Sequence, residues 1–207
     1  MNTIPDRDIE CVLSTYGVSA DQALCGMIRT YISLLLRWNR RVALTAVTDP
    51  MEILKFHFGE SLFALSALPV GHGRLADIGS GAGFPGLPLL MLRPDLDVVL
   101  IEPNSKKAAF LAEIIRELNL DHASVFHGRM EEVQPEEPAF DLVTARAVGR
   151  HEDLLVWARA HLGTGKIVLW LGKEDSSTIS GLAGWEWALP IQIPGSVRRF
   201  ILVGSPR

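Results

Sequence analysis

A glycine-rich turn between an apolar strand and a helix constrains the fold of this chain more than any other feature. The turn lies in residues 76–88, with the sequence ADIGSGAGFPGLP. Gly79, Gly81 and Gly83 permit positive φ angles and leave no Cβ between the main chain and a ligand. Pro85 suits the first turn of the helix that follows. We therefore predict a ligand-binding turn made of main-chain atoms at the end of a buried strand.

An acidic residue ends the next apolar run. Residues 98–101 (VVLI) are followed by Glu102, about nineteen residues after Gly83. A carboxylate at the end of the second strand of a nucleotide-binding sheet accepts hydrogen bonds from a ribose diol. We expect the ends of two neighbouring parallel strands to face one nucleoside.

The turn is compatible with two cofactors. Residues 81–86 (GAGFPG) satisfy the G-x-G-x-x-G pattern of dinucleotide-binding folds, which is weak evidence when it occurs alone. Asp77 favours S-adenosylmethionine (SAM), because a carboxylate attracts the methionine ammonium and repels a pyrophosphate. The alternative is that Asp77 only stabilises the turn through hydrogen bonds to the backbone. An NAD-dependent oxidoreductase also needs a catalytic Tyr-Lys or His pair, but Tyr16 and Tyr31, the only tyrosines, both precede the predicted sheet.

Residues 77–86 (DIGSGAGFPG) resemble the signature of the glucose-inhibited division protein B family, which methylates N7 of a guanine in bacterial small-subunit ribosomal RNA. Further matching stretches span most of the chain: Trp38-Asn39, residues 44–50 (LTAVTDP), His57, residues 128–132 (GRMEE) and residues 145–147 (ARA). The resemblance implies a SAM-dependent methyltransferase that acts on 16S ribosomal RNA or the small-subunit particle. Ala43 and Gly172-Lys173 depart from the family pattern, and the second departure leaves the role of Lys173 open.

From residue 74 onward the sequence alternates strands and helices, which predicts a parallel sheet built from βαβ units. The predicted strands lie near 74–78, 97–102, 123–127, 140–144, 165–171, 185–191 and 198–203, the last two forming an edge hairpin through Pro194-Gly195. The predicted helices between them lie near 85–92, 104–118, 151–161 and 175–181.

The first third of the chain reads as helices. Residues 6–67 carry apolar side chains at helical spacing, and Asp49-Pro50-Met51-Glu52 has the form of a capped helix start. The expected fold is therefore α/β, with an N-terminal helical extension at 1–70. A doubly wound, mostly parallel seven-stranded sheet of the SAM-dependent methyltransferase (Rossmann-like) type follows at 71–207.

The predicted cofactor-binding residues lie at the carboxyl ends of the strands, where ligands bind in open parallel sheets. They are Asp77, Gly79, Gly81, Phe84, Glu102, Met130, Glu131 and Arg146. The resemblance implies the SAM contacts of Gly79, Phe84, Met130, Glu131 and Arg146. For Glu131 the alternative is a solvated acidic turn.

The residues after the predicted fourth strand restrict the methyl acceptor. Residues 144–147 (TARA) contain neither the Asn/Asp-Pro-Pro-aromatic motif of enzymes that methylate exocyclic amines nor the cysteine of those that methylate pyrimidine carbon. Guanine N7 fits, because its lone pair attacks without prior deprotonation and needs no general base, and we do not assign His57 that role. Arg146 is the candidate catalytic residue, contacting the guanine O6 and N7 edges or a phosphate. The alternative is a salt bridge from Arg146 to Glu102 or Glu131.

The net charge and the cysteine content limit how the protein can bind RNA and in which compartment it works. The net charge of −4 means that RNA binding requires a local basic patch, for which Arg29, Arg37, Arg40, Arg41 and Lys55 are candidates, the alternative being a solvated face. Cys11 and Cys25 suggest neither a disulfide framework nor a metal motif, and we expect neither a leader peptide nor a membrane-spanning segment. We expect a cytoplasmic monomer without a metal. Competing functions are methylation of another RNA or of a small molecule, NAD-dependent oxidoreduction, and a binding module without catalysis.

Overall fold

The computed structural model describes residues 4–68, 71–134 and 139–207 of the chain. The N-terminal part is helical and consists of α1 (Asp6–Ser14), α2 (Gln22–Asn39) and a third helical segment: α3 (Pro50–Ile53), a π-helix (Leu54–Gly59), α4 (Glu60–Leu62) and a 3-10 helix (Phe63–Ala67). The later helices are α5 (Gly86–Leu92), α6 (Ser105–Glu117), a 3-10 turn (Met130–Glu132), α7 (His151–His161) and α8 (Lys173–Ile179).

Strands within these described ranges form one sheet. They are β1 (Gly73–Ile78), β2 (Leu96–Ile101), β3 (Ala123–Phe126), β4 (Phe140–Arg146), β5 (Leu162–Gly172), β6 (Trp185–Trp187), β7 (Ile191–Gln192) and β8 (Arg199–Pro206). The order is β3-β2-β1-β4-β5-β8-β6, with β7 also paired to β8. The first five strands are parallel and β8 is antiparallel to β5. Because β6 and β7 pair with successive parts of β8, the sheet has seven positions, which confirms the predicted architecture.

The prediction of one continuous strand over residues 185–191 is wrong. Trp185–Trp187 and Ile191–Gln192 are separate strands. Pro190 lies between them and has no N–H with which to continue the ladder. The hairpin of β7 and β8 is present, and Gly195 has a φ of 71° in its connecting turn.

The helix start at Asp49 is confirmed. The Asp49 carboxylate accepts hydrogen bonds from the backbone N–H groups of Met51 and Glu52, both at 2.9 Å, and Pro50 occupies the first turn. Residues 40–49 between α2 and this start are not helical, so the extension is not helical throughout. This connecting segment carries part of the family-like motif of residues 44–50.

The N-terminal helices cover one face of the sheet. A single hydrophobic core joins Ile28 and Phe58 of the helical part to Leu75, Leu100 and Phe110 of the α/β part. A second core covers the opposite face and includes Val143, Leu154, Ile167 and Leu202. The domain boundary at residue 70 stays a prediction, because residues 69–70 lie outside the described ranges and the packing is continuous on either side of them.

Candidate active site

The glycine-rich turn has the backbone conformation that the sequence predicts. The φ angles are 67° at Gly79, 57° at Gly81 and 88° at Gly83. The N–H groups of Gly79 and Ser80 donate to the carbonyl oxygen of Ile101 at 2.9 and 3.2 Å. These bonds fix the start of the turn to the end of β2, so the ends of β1 and β2 adjoin.

Two of these glycines face different surroundings. A Cβ added to Gly81 would approach only the Gly79 carbonyl oxygen, at 3.7 Å, so the space beside Gly81 is open. A Cβ added to Gly83 would clash with the Tyr31 hydroxyl and would lie 2.8 Å from Leu87 Cδ1. Gly81 therefore leaves room for a ligand, whereas Gly83 leaves room for packing.

Glu102 links the two strand ends directly. Its Oε2 accepts a hydrogen bond from the Gly81 N–H at 2.8 Å, and its Oε1 accepts one from the Asn104 N–H at 2.8 Å. The residue is 4% exposed. Each carboxylate oxygen has a further lone pair with which to accept a ribose hydroxyl. The ends of β1 and β2, which the sequence predicts to face one nucleoside, are thus joined by the contact between Gly81 and Glu102.

Asp77 lies beneath the turn. It is fully buried, its Oδ1 accepts from the Thr144 hydroxyl at 2.8 Å, and its Oδ2 accepts from the Gly86 N–H at 3.3 Å. Burial raises the pKa of this carboxyl to about 6, although the hydrogen bonds oppose the shift. This geometry supports the alternative that Asp77 stabilises the turn. A direct contact with the SAM ammonium stays a prediction.

Phe84 is enclosed by aromatic side chains of the N-terminal helices. Its ring stacks on Tyr31 and His57, with centroids 5.3 and 4.8 Å apart, and meets Phe58 edge-on at 5.2 Å. Phe84 is 8% exposed. Tyr31 and His57 were missed as residues of the site because an apolar helical stripe predicts only that they are buried. Phe84 itself stays a predicted SAM contact.

His57 is held as a neutral imidazole. Its Nε2 lies 2.8 Å from the Thr45 hydroxyl. Burial, and next the charge of Arg146, lower the pKa of His57 to about 4. The ring is therefore uncharged near neutral pH, in agreement with its interpretation as a packed residue.

The residues after β3 divide between core and surface. Met130 is buried in the second core, whereas Glu131 is half-exposed and forms an ion pair with Arg150. Glu132 accepts a hydrogen bond from the Arg129 N–H at 3.1 Å. The ion pair is what the solvated-turn alternative predicts for Glu131. Contacts of Met130 and Glu131 with the adenine stay predictions.

Arg146 ends β4 and contacts the helical extension. Its Nη2 donates to the Phe56 carbonyl oxygen at 2.8 Å and lies 3.3 Å from Glu60 Oε2. The expected salt bridge exists, but its carboxylate belongs to Glu60 and not to Glu102 or Glu131. Sequence reasoning missed Glu60, which is 86 residues away and carries no motif.

A cleft of about 490 Å³ opens beside Arg146 at the carboxyl ends of β4 and β5. Its walls include Glu60, Val148, Trp170 and Arg199. A Cβ added to Gly79 would lie 3.2 Å from Val148 Cγ2, so this wall adjoins the glycine-rich turn. The cleft therefore lies next to the predicted cofactor site.

The basic side chains of the extension differ in their partners. Arg29 pairs with Asp6, and Arg37 pairs with Glu113. Arg40 and Arg41 are exposed and form no ion pair with the described residues. Lys55 is likewise exposed without an ion pair to the described residues, and its ammonium lies 5.3 Å from the centroid of the Phe56 ring.

The described part of the chain contains no cluster of three or more His, Cys, Asp or Glu side chains suited to a metal ion. Cys11 and Cys25 are free thiols. None of the helices in the described ranges has the length and apolar character that crossing a bilayer requires.

The mostly parallel sheet, the glycine-rich turn and the acid at the end of β2 define a methyltransferase fold. Solved structures with this fold include the glycopeptide N-methyltransferase MtfA complexed with S-adenosylmethionine, at a TM-score of 0.61 and 12% identity, covering 73% of this chain and 87% of that one. A ribosomal protein L11 methylase from Lactobacillus delbrueckii subsp. bulgaricus has a TM-score of 0.61 and 15% identity, covering 74% of this chain and 79% of that one. These similarities confirm the predicted fold class.

The chain belongs to the rRNA small subunit methyltransferase G (GidB) family, whose model matches residues 25–182. A Pseudomonas entomophila protein named ribosomal RNA small subunit methyltransferase G is 41% identical over 158 residues, covering 76% of this chain and 72% of that protein. A protein of the same name from Xanthomonas euvesicatoria pv. vesicatoria is 38% identical over 196 residues, covering 92% of this chain and 91% of that protein. The resemblance seen in the sequence motifs is confirmed.

Proposed function

We propose that this protein transfers a methyl group from SAM to N7 of a guanine in 16S ribosomal RNA of the small ribosomal subunit. The observation that carries the proposal is membership of the small-subunit methyltransferase G family over residues 25–182. The family match also favours methyl transfer over the oxidoreductase and the non-catalytic alternatives.

The residues at the ends of β1 and β2 suit SAM as the methyl donor. The open space beside Gly81 admits a ligand against the main chain, and the Glu102 carboxylate is available to the ribose hydroxyls. SAM supplies an electrophilic methyl group on a sulfonium. We propose that Gly79, Gly81, Phe84, Glu102, Met130 and Glu131 line its site, and that Asp77 acts by fixing the turn.

The acceptor atom requires alignment and no proton transfer by the protein. N7 of guanine carries a free lone pair at neutral pH, so the chain need only hold the base in line with the methyl group. His57 has a pKa of about 4 and is not suited to act as a base that changes protonation near neutral pH. Arg146 is proposed to donate to guanine O6 or to a phosphate, because a hydrogen bond to N7 would occupy the attacking lone pair.

The acidic protein must approach RNA through a local surface. We propose that Arg40 and Arg41 contact phosphates, since both are exposed without an ion-pair partner among the described residues. We further propose a monomer that works without a metal in the cytoplasm, where its proposed substrate is found.

The test is to incubate small subunits that lack the modification with the protein and methyl-labelled SAM. We expect label in 16S ribosomal RNA at one guanine, and strand scission there after borohydride and aniline treatment, which is specific for N7-methylguanine. Label at another base atom, or no label although SAM binds, would contradict the proposal. A parallel titration with NAD should give no binding.

A further inference from the structure

Glu60 is a buried carboxylate in the wall of the cleft. It is 1% exposed and belongs to the helical extension, yet its partners belong to the sheet. Its Oε1 lies 2.6 Å from Arg199 Nη1, at the start of β8. Its Oε2 lies 3.3 Å from Arg146 Nη2, at the end of β4. One carboxylate therefore orients two guanidinium groups from two different strands.

The main chain around Glu60 is fixed as well. The Trp170 indole N–H donates to the Glu60 carbonyl oxygen at 2.7 Å. Arg146 also donates to the carbonyl oxygen of Phe56, which lies in the π-helical turn, and the Arg199 guanidinium lies 4.8 Å from the centroid of the Phe56 ring. The carboxylate thus has little freedom to follow the arginines, and it orients them together with the carbonyl oxygen and ring of Phe56.

Stability alone does not explain this cluster. Burying charges costs free energy that a buried ion pair recovers only in part, and apolar replacements are often as stable. Burial raises the pKa of Glu60 and lowers the pKa of Arg146, which is the direction expected for charges removed from water. Within the cluster the two guanidinium groups outnumber the one carboxylate of Glu60, while Asp175 places a further carboxylate elsewhere on the cleft wall.

Arg146 also has hydrogen-bonding capacity that the fold does not use. Its Nη1 is buried and has no hydrogen-bond partner among the described residues, although Nη2 has two acceptors. Glu60 Oε1 forms its close ion pair with Arg199 without the alignment of a hydrogen bond, so that pair is mainly electrostatic. Buried donors without partners are rare in native proteins, and each one calls for an explanation. A substrate group that enters the cleft beside Arg146 would supply the missing acceptor.

We propose that Glu60 is a positioning residue for methyl transfer: by holding Nη2 of Arg146, it directs the unused Nη1 edge toward the target nucleotide. Arg199 shares the same carboxylate, whose negative charge offsets the repulsion between the two guanidinium groups. The proposal rests on the proposed function, because it takes Arg146 as the residue that aligns the guanine.

Glu60→Gln tests this role, since it keeps the shape and removes the charge. At saturating RNA and SAM, we expect the single-turnover rate of methylation to fall about tenfold or more, while the Kd for SAM stays within about twofold. The KM for RNA should change less than the rate. A matched control is Glu113→Gln, which removes a carboxylate paired with Arg37 and Trp38 between α2 and α6, and which should leave the rate unchanged.

A double-mutant cycle with Arg146→Lys separates positioning from a structural role. If Glu60 acts through Arg146, Glu60→Gln should lower the rate less than about twofold further in the Arg146→Lys background. A full additional loss there, or a parental rate in the Glu60→Gln variant itself, would overturn the proposal. Should Glu60→Gln fail to fold, Glu60→Asp keeps the charge but shortens its reach, and the same cycle applies. If the parental protein does not methylate small-subunit RNA, the proposed function itself is refuted. That result is obtained before any variant is compared, so the two failures are distinguishable.

Discussion

The Tyr31 hydroxyl donates a hydrogen bond to the carbonyl oxygen of Ala82 at 2.7 Å, and this bond joins α2 to the middle of the glycine-rich turn. Burial raises the pKa of Tyr31 well above its usual value, so the hydroxyl keeps its proton and remains a donor. The ring of the same residue stacks on Phe84, which follows in the turn. The helical extension therefore forms part of the support of the candidate cofactor site.

Tyr31→Phe tests this support. The variant keeps the ring and leaves the Ala82 carbonyl oxygen without its partner, so we expect a loss of about 1 kcal/mol in the free energy of unfolding. The looser turn should also weaken SAM binding by a few-fold. Urea unfolding and calorimetric titration measure the two effects. Tyr16→Phe is a control, since Tyr16 lies outside the turn; equal losses of SAM affinity in both variants would contradict the account.

Gly81→Val should abolish SAM binding while the protein stays folded. The side chain would fill the open space beside the turn, and a φ of 57° is strained for a β-branched residue at a cost of about 1 to 2 kcal/mol. Gly17→Val is the matched control, because Gly17 has a φ of 74° and open space but lies between α1 and α2. It should lose similar stability and bind SAM normally. Retained SAM affinity in a folded Gly81→Val protein would show that the turn is not part of the cofactor site.

Glu102→Ala should weaken SAM binding by on the order of 1.5 to 3 kcal/mol, since charge-assisted hydrogen bonds to the ribose are lost. Part of this effect comes through the turn, because Glu102 also accepts the Gly81 N–H at 2.8 Å. Glu102→Gln keeps one acceptor oxygen and should fall between the parent and Glu102→Ala. A change of less than about twofold in the Kd for SAM in Glu102→Ala would show that Glu102 has only a structural role.

Asp77 should make stability depend on pH. Its pKa in the folded protein, about 6, lies above its ordinary value of 3.8, so the folded state binds the proton more tightly than the unfolded state does. The stabilisation is complete below pH 3.8 and is lost as the pH rises through about 6, with a total of about 3 kcal/mol. Because Asn resembles the protonated carboxyl, the parent should lose up to about 3 kcal/mol of unfolding free energy relative to Asp77→Asn as the pH rises over this range. If the unfolding free energy of the parent minus that of the variant stays constant or becomes more positive with rising pH, the assigned environment is contradicted.

Charge reversal at Arg40 and Arg41 should flatten the dependence of RNA affinity on salt, because fewer counterions are released on binding. Lys166→Glu and Arg116→Glu together form a control with the same change of charge; both residues are exposed, and Lys166 lies in the amino-terminal half of β5. Filter binding to small-subunit RNA at several salt concentrations measures the slope. Equal slopes for the two double variants would indicate that Arg40 and Arg41 belong to a solvated face that does not contact RNA.

Local signals in the sequence predicted much of the fold. The positive φ angles of the turn, the capping by Asp49 and the adjoining ends of β1 and β2 follow from residue types at short spacing and from the parallel order of the strands. The hydrogen bond from the Gly81 N–H to Glu102 was not predicted. Pairings over long distances did not follow, because nothing near Glu60 or Tyr31 marks Arg146 or Ala82 as a partner. These pairings depend on how the helical extension packs on the sheet. The break at Pro190 was readable from the sequence, since proline interrupts a ladder.

The most direct test of the central claim is single-turnover formation of N7-methylguanine in small-subunit RNA by the Arg146→Ala variant at saturating SAM. We expect SAM to bind within about threefold of the parental affinity, while the rate falls about 100-fold or more because the guanine is no longer aligned. Arg146→Lys should not restore the rate, since a point charge does not replace the planar fork. A near-parental rate in Arg146→Ala, or a methyl group on any atom other than N7, would contradict the account.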